Sequence, residues 1–210
     1  MSTTEIPEPA QPRRRLSRED RQRQLLDMAW QLIREEGTDA LTLGYLAEKA
    51  GVTKPVVYDH FTTRAGLLAA LYQDFDRRQT ALMDAALANA EATLTGTATV
   101  IATAYVDCVL TQGNEIPGVI AALASTPELE KIKREYEAIF LEKCRRVLSP
   151  FADGAEIGQA GLRAMLGAAE ALSQAAATDE ISAVQARDEL FATIIAMVER
   201  AAARTLKAGD

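Results

Sequence analysis

An all-α fold of about nine helices is what the sequence predicts, and three observations predict it. Apolar residues recur at helical spacing in one segment after another. Ala, Leu, Glu and Arg, all good helix formers, dominate the composition. No hairpin dipeptide sits between alternating apolar and polar runs, so no segment reads as a strand. With 48% hydrophobic and 25% charged residues over 210 positions, the chain can bury a sizeable core.

Residues 1–16 carry Pro7, Pro9 and Pro12 without an apolar period and end on Arg13, Arg14 and Arg15. They are expected to be a disordered basic tail. The first helix should start at Ser17, an N-cap with Glu19 and Asp20 in the favoured first turn, and end at Gly37. Its stripe is Gln22, Leu25, Ala29, Leu32 and Ile33, and Trp30 should pack near a domain junction. A second helix follows Thr42, with Leu43, Leu46, Ala47 and Ala50 at helical spacing, and stops at Gly51. A third runs from Thr53 to about Phe61. A fourth starts near Thr63 and passes Leu67, Leu68, Leu71, Tyr72 and Phe75 toward Ala92.

Thr95 to Thr97 read as a loop around Gly96, followed by a fifth helix over Ala98 to Thr111, closed by Gly113 and Asn114. Gly118 to Ala124 predict a short sixth. Thr126, Pro127 and Glu128 supply a cap, a first-turn proline and an acid, which open a seventh helix. That helix should bury Leu129, Ile132, Tyr136, Ile139, Phe140 and Val147 before Ser149 and Pro150 stop it. The last two helices are expected over Ala155 to Ala177 and Ala183 to Leu206. No internal repeat is present.

Residues Thr42 to Phe61 carry the functional signal. Two short helices joined by a tight turn at Gly51, Val52 and Thr53 form a helix-turn-helix pattern. The turn needs a positive φ, which Gly51 can adopt. Leu46, Ala47 and Val57 would be the buried contacts. The second helix then exposes Thr53, Lys54, Pro55, Val56, Tyr58, Asp59 and His60. A cation, a phenol, an imidazole and apolar groups suit a DNA groove. Lys54 can meet a guanine edge or a phosphate, and Pro55 and Val56 can touch thymine methyls. Tyr58 and His60 can donate to phosphates. Pro55 is tolerated in the first turn.

The run from Gly51 to Phe61, followed by Thr63, Arg64, Ala65, Gly66, Leu67 and Leu68, resembles the signature of TetR-family regulators. Leu41, Thr42, Leu43, Leu46 and Ala47 match the helix before it. The resemblance covers roughly Leu25 to Tyr72. It implies that Thr42 and Arg64 contact phosphates, that Thr53, Lys54, Pro55 and Val56 face base edges, and that Tyr58 and His60 contact phosphates. Asp59 departs from the pattern, because an anion facing DNA repels phosphates. The resemblance also implies a homodimer on a palindromic operator of double-stranded DNA, with recognition helices about 34–36 Å apart. It further implies a small-molecule effector that releases a repressor from that operator. A ligand-independent DNA-binding adaptor or an activator is the alternative. The arginines of the tail suit either a minor-groove arm or a solvated segment.

The expected organisation is therefore a tail (residues 1–16), a three-helix helix-turn-helix DNA-binding domain (17–62) and a larger helical dimerisation and ligand domain (63–210). Candidate ligand contacts in the last are Tyr105, Asp107, Cys108, Tyr136, Phe140, Met165 and Glu170; a plain core is the alternative for each. Asp107 and Glu170 stand inside apolar helices, where an unpaired buried carboxylate is costly. The eighth helix is rich in small residues at Gly158, Gly161, Gly167, Ala168, Ala171 and Ala175. With Leu190, Phe191, Ile194, Met197, Val198 and Ala201 of the ninth, it could form a four-helix bundle across a twofold axis, or cover the monomer core.

The net charge is −7, yet Lys and Arg balance Asp and Glu over residues 1–66, so residues 67–210 carry all of it. The only two cysteines, Cys108 and Cys144, read as small buried hydrophobes of a reducing cytoplasm. No signal peptide or membrane-spanning run is evident, the apolar stretch Val100 to Leu110 being broken by Asp107. No metal-ligand cluster, phosphate-cradling loop, dinucleotide fingerprint or nucleophile elbow is present, so no cofactor, metal or enzyme activity is expected. The lone histidine, His60, has no partners for a metal.

Overall fold

The computed structural model describes residues 16–112, 115–123 and 127–208. Among these there are nine α-helices and no strand, as the periodicity predicts. In order they are α1 (Arg18–Glu36), α2 (Leu43–Lys49), α3 (Lys54–Phe61), α4 (Arg64–Asn89), α5 (Leu94–Gln112), α6 (Glu115–Leu123), α7 (Pro127–Leu148), α8 (Gln159–Ala177) and α9 (Ala183–Ala208). Short 3-10 turns cover Thr38–Ala40 and Ser149–Phe151. The basic tail, Gly113, Asn114 and the Thr126 cap lie outside the described residues.

Caps set the boundaries. Ser17 accepts a hydrogen bond from the Asp20 amide, and Thr42 and Thr63 cap α2 and α4 in the same way. Several boundaries differ from the sequence reading: α4 ends at Asn89, short of Ala92, α6 starts at Glu115 and not Gly118, and the starts of α5 and α8 move as well. Gly96 stands in the first turn of α5, not in a loop. Its amide donates to Thr93 Oγ1, and a Cβ there would lie 2.4 Å from the Glu91 carbonyl oxygen. The glycine is needed because the chain doubles back closely before the helix, not because the helix is broken. Farther along, Ala155 to Gly158 carry no regular structure, and α8 starts at Gln159 with Gly158 as its cap. Ala155 and Ile157 are buried in that segment, so its apolar residues plug a core without being helical.

Two cores are present, and α4 belongs to both. The first gathers Leu25, Ala29 and Leu32 of α1, Leu46 of α2 and Val57 and Phe61 of α3 onto Leu67, Leu68 and Leu71 of α4. Val119 of α6 completes it, fully buried. The second gathers Met83 of α4 with Ile101 and Val106 of α5, Leu141 of α7, Leu162 of α8 and Ile194 of α9. Each of these side chains contributes about 1.5–3 kcal/mol by leaving water. Trp30 sits at the junction as expected: it is buried, and its indole Nε1 faces Asp74 of α4 at 3.4 Å. Arg78 bonds Asp74 at 2.5 Å and also reaches Asp27 of α1.

Ile139 was expected inside and is 59% exposed on α7. The helix turns its other face inward, so Tyr136 and Phe140 are half-buried and Leu141 and Cys144 are sealed. The stretch 94–111 is, by length and composition, apolar enough to cross a bilayer, contrary to the sequence reading. In this fold α5 is a central helix, packed by α4, α7, α8 and α9.

Candidate nucleic-acid interface and interior cavity

The helix-turn-helix is built as its sequence requires. Gly51 takes φ +64°, and the Val52 amide returns to the Ala47 carbonyl at 3.0 Å, closing the turn. Val57 and Phe61 are the inward face of α3 and are buried against α2 and α4. That leaves the opposite face free. Thr53, Lys54, Pro55, Tyr58 and Asp59 are exposed, with Tyr58 at 50%, and Val56 and His60 are half-buried. A half-exposed tyrosine has no packing reason to stand there.

Hydrogen bonds sort the candidates further. Thr42 Oγ1 accepts from the Tyr45 amide at 3.1 Å, so its hydroxyl proton stays available for an acceptor outside the chain. Thr53 caps α3 without any side-chain hydrogen bond. The Lys54 side chain lies beside Gly44, which brings the start of α3 close to the first turn of α2. Thr63, which the sequence reading treated only as a helix start, is exposed and accepts from the Gly66 amide. The Asp59 backbone oxygen accepts from Arg18, while its carboxylate is exposed. Burial, aided by Arg18, holds the His60 imidazolium below its usual pKa of 6.5. His60 is therefore mainly neutral at pH 7.

Arg64, which the resemblance assigns to a phosphate, also makes bonds within the chain. Its Nε donates to the Leu41 carbonyl at 2.8 Å and its Nη2 to the Thr38 carbonyl at 2.8 Å. The guanidinium straps the turn before α2 to the first residue of α4, and both Nη1 protons and one on Nη2 are left for another acceptor. The same turn touches α6, where Gly118 allows close approach: a Cβ there would lie 2.5 Å from Thr38 Oγ1.

Behind this head lies a partly enclosed cavity of about 130 Å³. Tyr72, Phe75, Asp76 and Gln79 of α4 line one wall, and Tyr105 and Cys108 of α5 another. Ile120 of α6, Lys133, Tyr136, Glu137 and Phe140 of α7 and Glu170 of α8 complete it. Five of the eleven aromatic residues of the chain meet here. Tyr72 and Tyr136 pack edge to face at 5.4 Å, and Tyr105 and Phe140 lie 5.6 Å apart. Burial pushes the Tyr72, Tyr105 and Tyr136 phenols above their usual range and the Cys108 thiol up to about 12. These groups stay neutral and can serve as hydrogen-bond partners.

Of the seven residues proposed from sequence, Tyr105, Cys108, Tyr136, Phe140 and Glu170 line this cavity. Met165 does not; it is sealed in the second core. Asp107 does not either. It is bound by Arg187 of α9 and lines a wider, more open groove of about 500 Å³ between α4 and α5. The sequence reading missed the α4 wall, Tyr72 to Gln79, because its apolar members looked like ordinary core. No group of three or more His, Cys, Asp or Glu able to hold a metal occurs among the described residues.

Comparison with known proteins adds to this geometry. Residues 25–71 match the family model for bacterial regulatory proteins of the tetR family. A stretch of 59 residues is 39% identical to the HTH-type transcriptional activator FasR of Mycolicibacterium smegmatis. That match spans 28% of this chain and little more than a quarter, 27%, of the relative. Among solved structures, SCO4454, a TetR-family transcriptional regulator of Streptomyces coelicolor, superposes with a TM-score of 0.65 at 16% identity, over 88% of this chain and 97% of that one. The multidrug binding protein EbrR, in complex with imidazole, superposes with a TM-score of 0.65 at 16% identity, over 83% and 89%. At such identities the structural likeness concerns the fold.

Proposed function

The chain belongs to the TetR family of bacterial regulatory proteins, and from that premise we propose that it is a homodimeric regulator that grips a palindromic operator through α3 and loosens that grip when a small molecule fills the cavity. One observation carries the reading. The helix that lines the cavity through Tyr72, Phe75 and Asp76 is the same unbroken helix whose first residue, Arg64, straps the DNA-facing head. A ligand that prefers one setting of α4 and α6 shifts the population of head positions by its differential affinity. Release of a repressor is the first form of this reading. Activation is the second, favoured by the likeness of a 59-residue stretch to an activator.

The test is selection of duplex fragments from the source genome with purified protein. Fragments with twofold half-sites about one helical turn apart are expected, and retention should fall steeply with salt. Failure to retain any duplex at low ionic strength refutes the reading.

Two further expectations follow from named residues. A phosphate beside His60 raises a pKa that burial and Arg18 have lowered, so the complex binds the proton more tightly than the free protein does. Operator affinity should then rise as pH falls below about 6.5, by at most about tenfold per pH unit per half-site. Fluorescence anisotropy across that range checks it, and His60→Gln should flatten the profile.

The second concerns the partner chain. Leu190, Ile194, Met197 and Val198 of α9 are buried in the monomer, and Gly161 packs on Met197, so these serve the chain's own core. The exposed stripe Ala160, Ala164, Gly167 and Ala171 of α8 is open to a twofold partner, alongside the half-buried Phe191 and Ala201 of α9. Ala171→Glu should weaken dimerisation by on the order of tenfold or more, by facing like charges across the axis, as sedimentation would show.

A further inference from the structure

The charges around the cavity do not cancel. Glu137 is paired with Lys133 at 3.2 Å and with Arg163 at 2.7 Å. Glu170 stands 3.6 Å from Lys133. Lys143 is held by Asp84 at 2.6 Å and by the Thr80 carbonyl at 3.3 Å. Both lysines are thus engaged by carboxylates. Asp76 is the exception, since no ion pair or hydrogen bond reaches its carboxylate from the described residues. With Asp84 and Arg163 counted, four carboxylates meet three cations, and the unmatched charge is that of Asp76.

Its surroundings are aromatic. Tyr72 and Phe75 precede it on α4, and Tyr105, Tyr136 and Phe140 come from α5 and α7. Ring faces attract cations, and more strongly where water is excluded. A lone carboxylate among five rings is costly when empty and favourable when a cation arrives. Burial raises the Asp76 pKa, and the nearby Lys143, which is bonded to Asp84 and not to Asp76, offsets this only in part. The volume of about 130 Å³ is near that of a cavity that admits one benzene ring.

We propose that the cavity takes a small organic monocation with an apolar or aromatic body, its charge held by Asp76 and faced by the surrounding rings. The assignment rests on the reading of the cavity as the effector site. It excludes anions as the preferred class, because Lys133 and Lys143 would have to leave their present carboxylates to bind one.

The test is calorimetric titration of the full-length protein with three probes of equal ring and different charge: benzylamine, benzyl alcohol and benzoate, each to millimolar concentration. Benzylamine should bind on the order of tenfold more tightly than benzyl alcohol, with benzoate weakest. Asp76→Asn should abolish the preference for the amine, leave benzyl alcohol binding unchanged and keep the melting temperature at or above that of the parent. Glu130→Gln, on the exposed face of α7 outside the cavity, should preserve the preference. A preference for benzoate, an amine preference that survives in Asp76→Asn, or no binding of any probe would overturn the proposal. Operator binding is read separately. If the amine binds as expected while DNA affinity stays fixed, the sensor reading falls and the charge assignment stands. If the probes show no charge preference yet release DNA, the reverse holds.

Discussion

Replacing Lys54 with alanine is expected to cost operator binding about 2–6 kcal/mol, or roughly 30-fold to 10⁴-fold in Kd. Lys54 is exposed at the first residue of α3, and its stem lies beside Gly44 rather than against a carboxylate. If its ammonium meets a guanine edge, each loss costs about 1–3 kcal/mol. The proposed homodimer carries the residue twice, so the costs of two separated half-sites add. The loss should be confined to one symmetric base-pair position, and substituting that pair should cost the variant nothing more. Anisotropy titrations against an operator and its single-position substitutions check this. A loss equal on all sequences, with a salt slope shallower by about two, would reassign Lys54 to the backbone.

Arg64→Ala should destabilise the fold itself. Two charge-assisted hydrogen bonds disappear, and the Leu41 and Thr38 carbonyls lose their donor. Hydrogen bonds to charged groups contribute about 1.5–3 kcal/mol each, discounted here for partial exposure to about 2–4 kcal/mol in total. In a chain of 210 residues that lowers the melting temperature by about 5–10 °C. Arg64→Lys can restore only one of the two bonds and should recover only part. A melting temperature unchanged in Arg64→Ala, with weaker DNA binding alone, would return Arg64 to the phosphate contact implied by resemblance.

Local signals made the head legible from sequence. Gly51, the threonine caps and the period of Leu43, Leu46 and Ala47 each act within a turn or two, and short-range physics determined the geometry. The exposed face of α3 followed once Val57 and Phe61 were assigned inward. Arg64 escaped the reading because its partners are backbone carbonyls more than 20 residues away, which no side-chain pattern marks. The cavity was half legible for a related reason. Tyr105, Cys108, Tyr136 and Phe140 stood out as unusual residues in apolar helices, whereas Tyr72 and Phe75 lie on a stripe that also builds core. Asp107 and Asp76 show the same limit. Both are carboxylates within largely apolar stretches, and only the position of Arg187, 80 residues away, decides that the first is paired.

The continuity of α4 has a consequence for anyone building chimeras. Without a loop between Arg64 and Asn89, no seam exists at which this head could be exchanged for another sensor as a free module. A crossover must fall inside the helix and preserve its phase. With 3.6 residues per turn, one residue gained or lost rotates everything beyond it by about 100° and aims the two halves of the helix at the wrong neighbours. Insertions of three or four residues come closest to restoring the rotation, but they lengthen the rod by about 4.5–6 Å and so reset the span between the two heads of the proposed dimer.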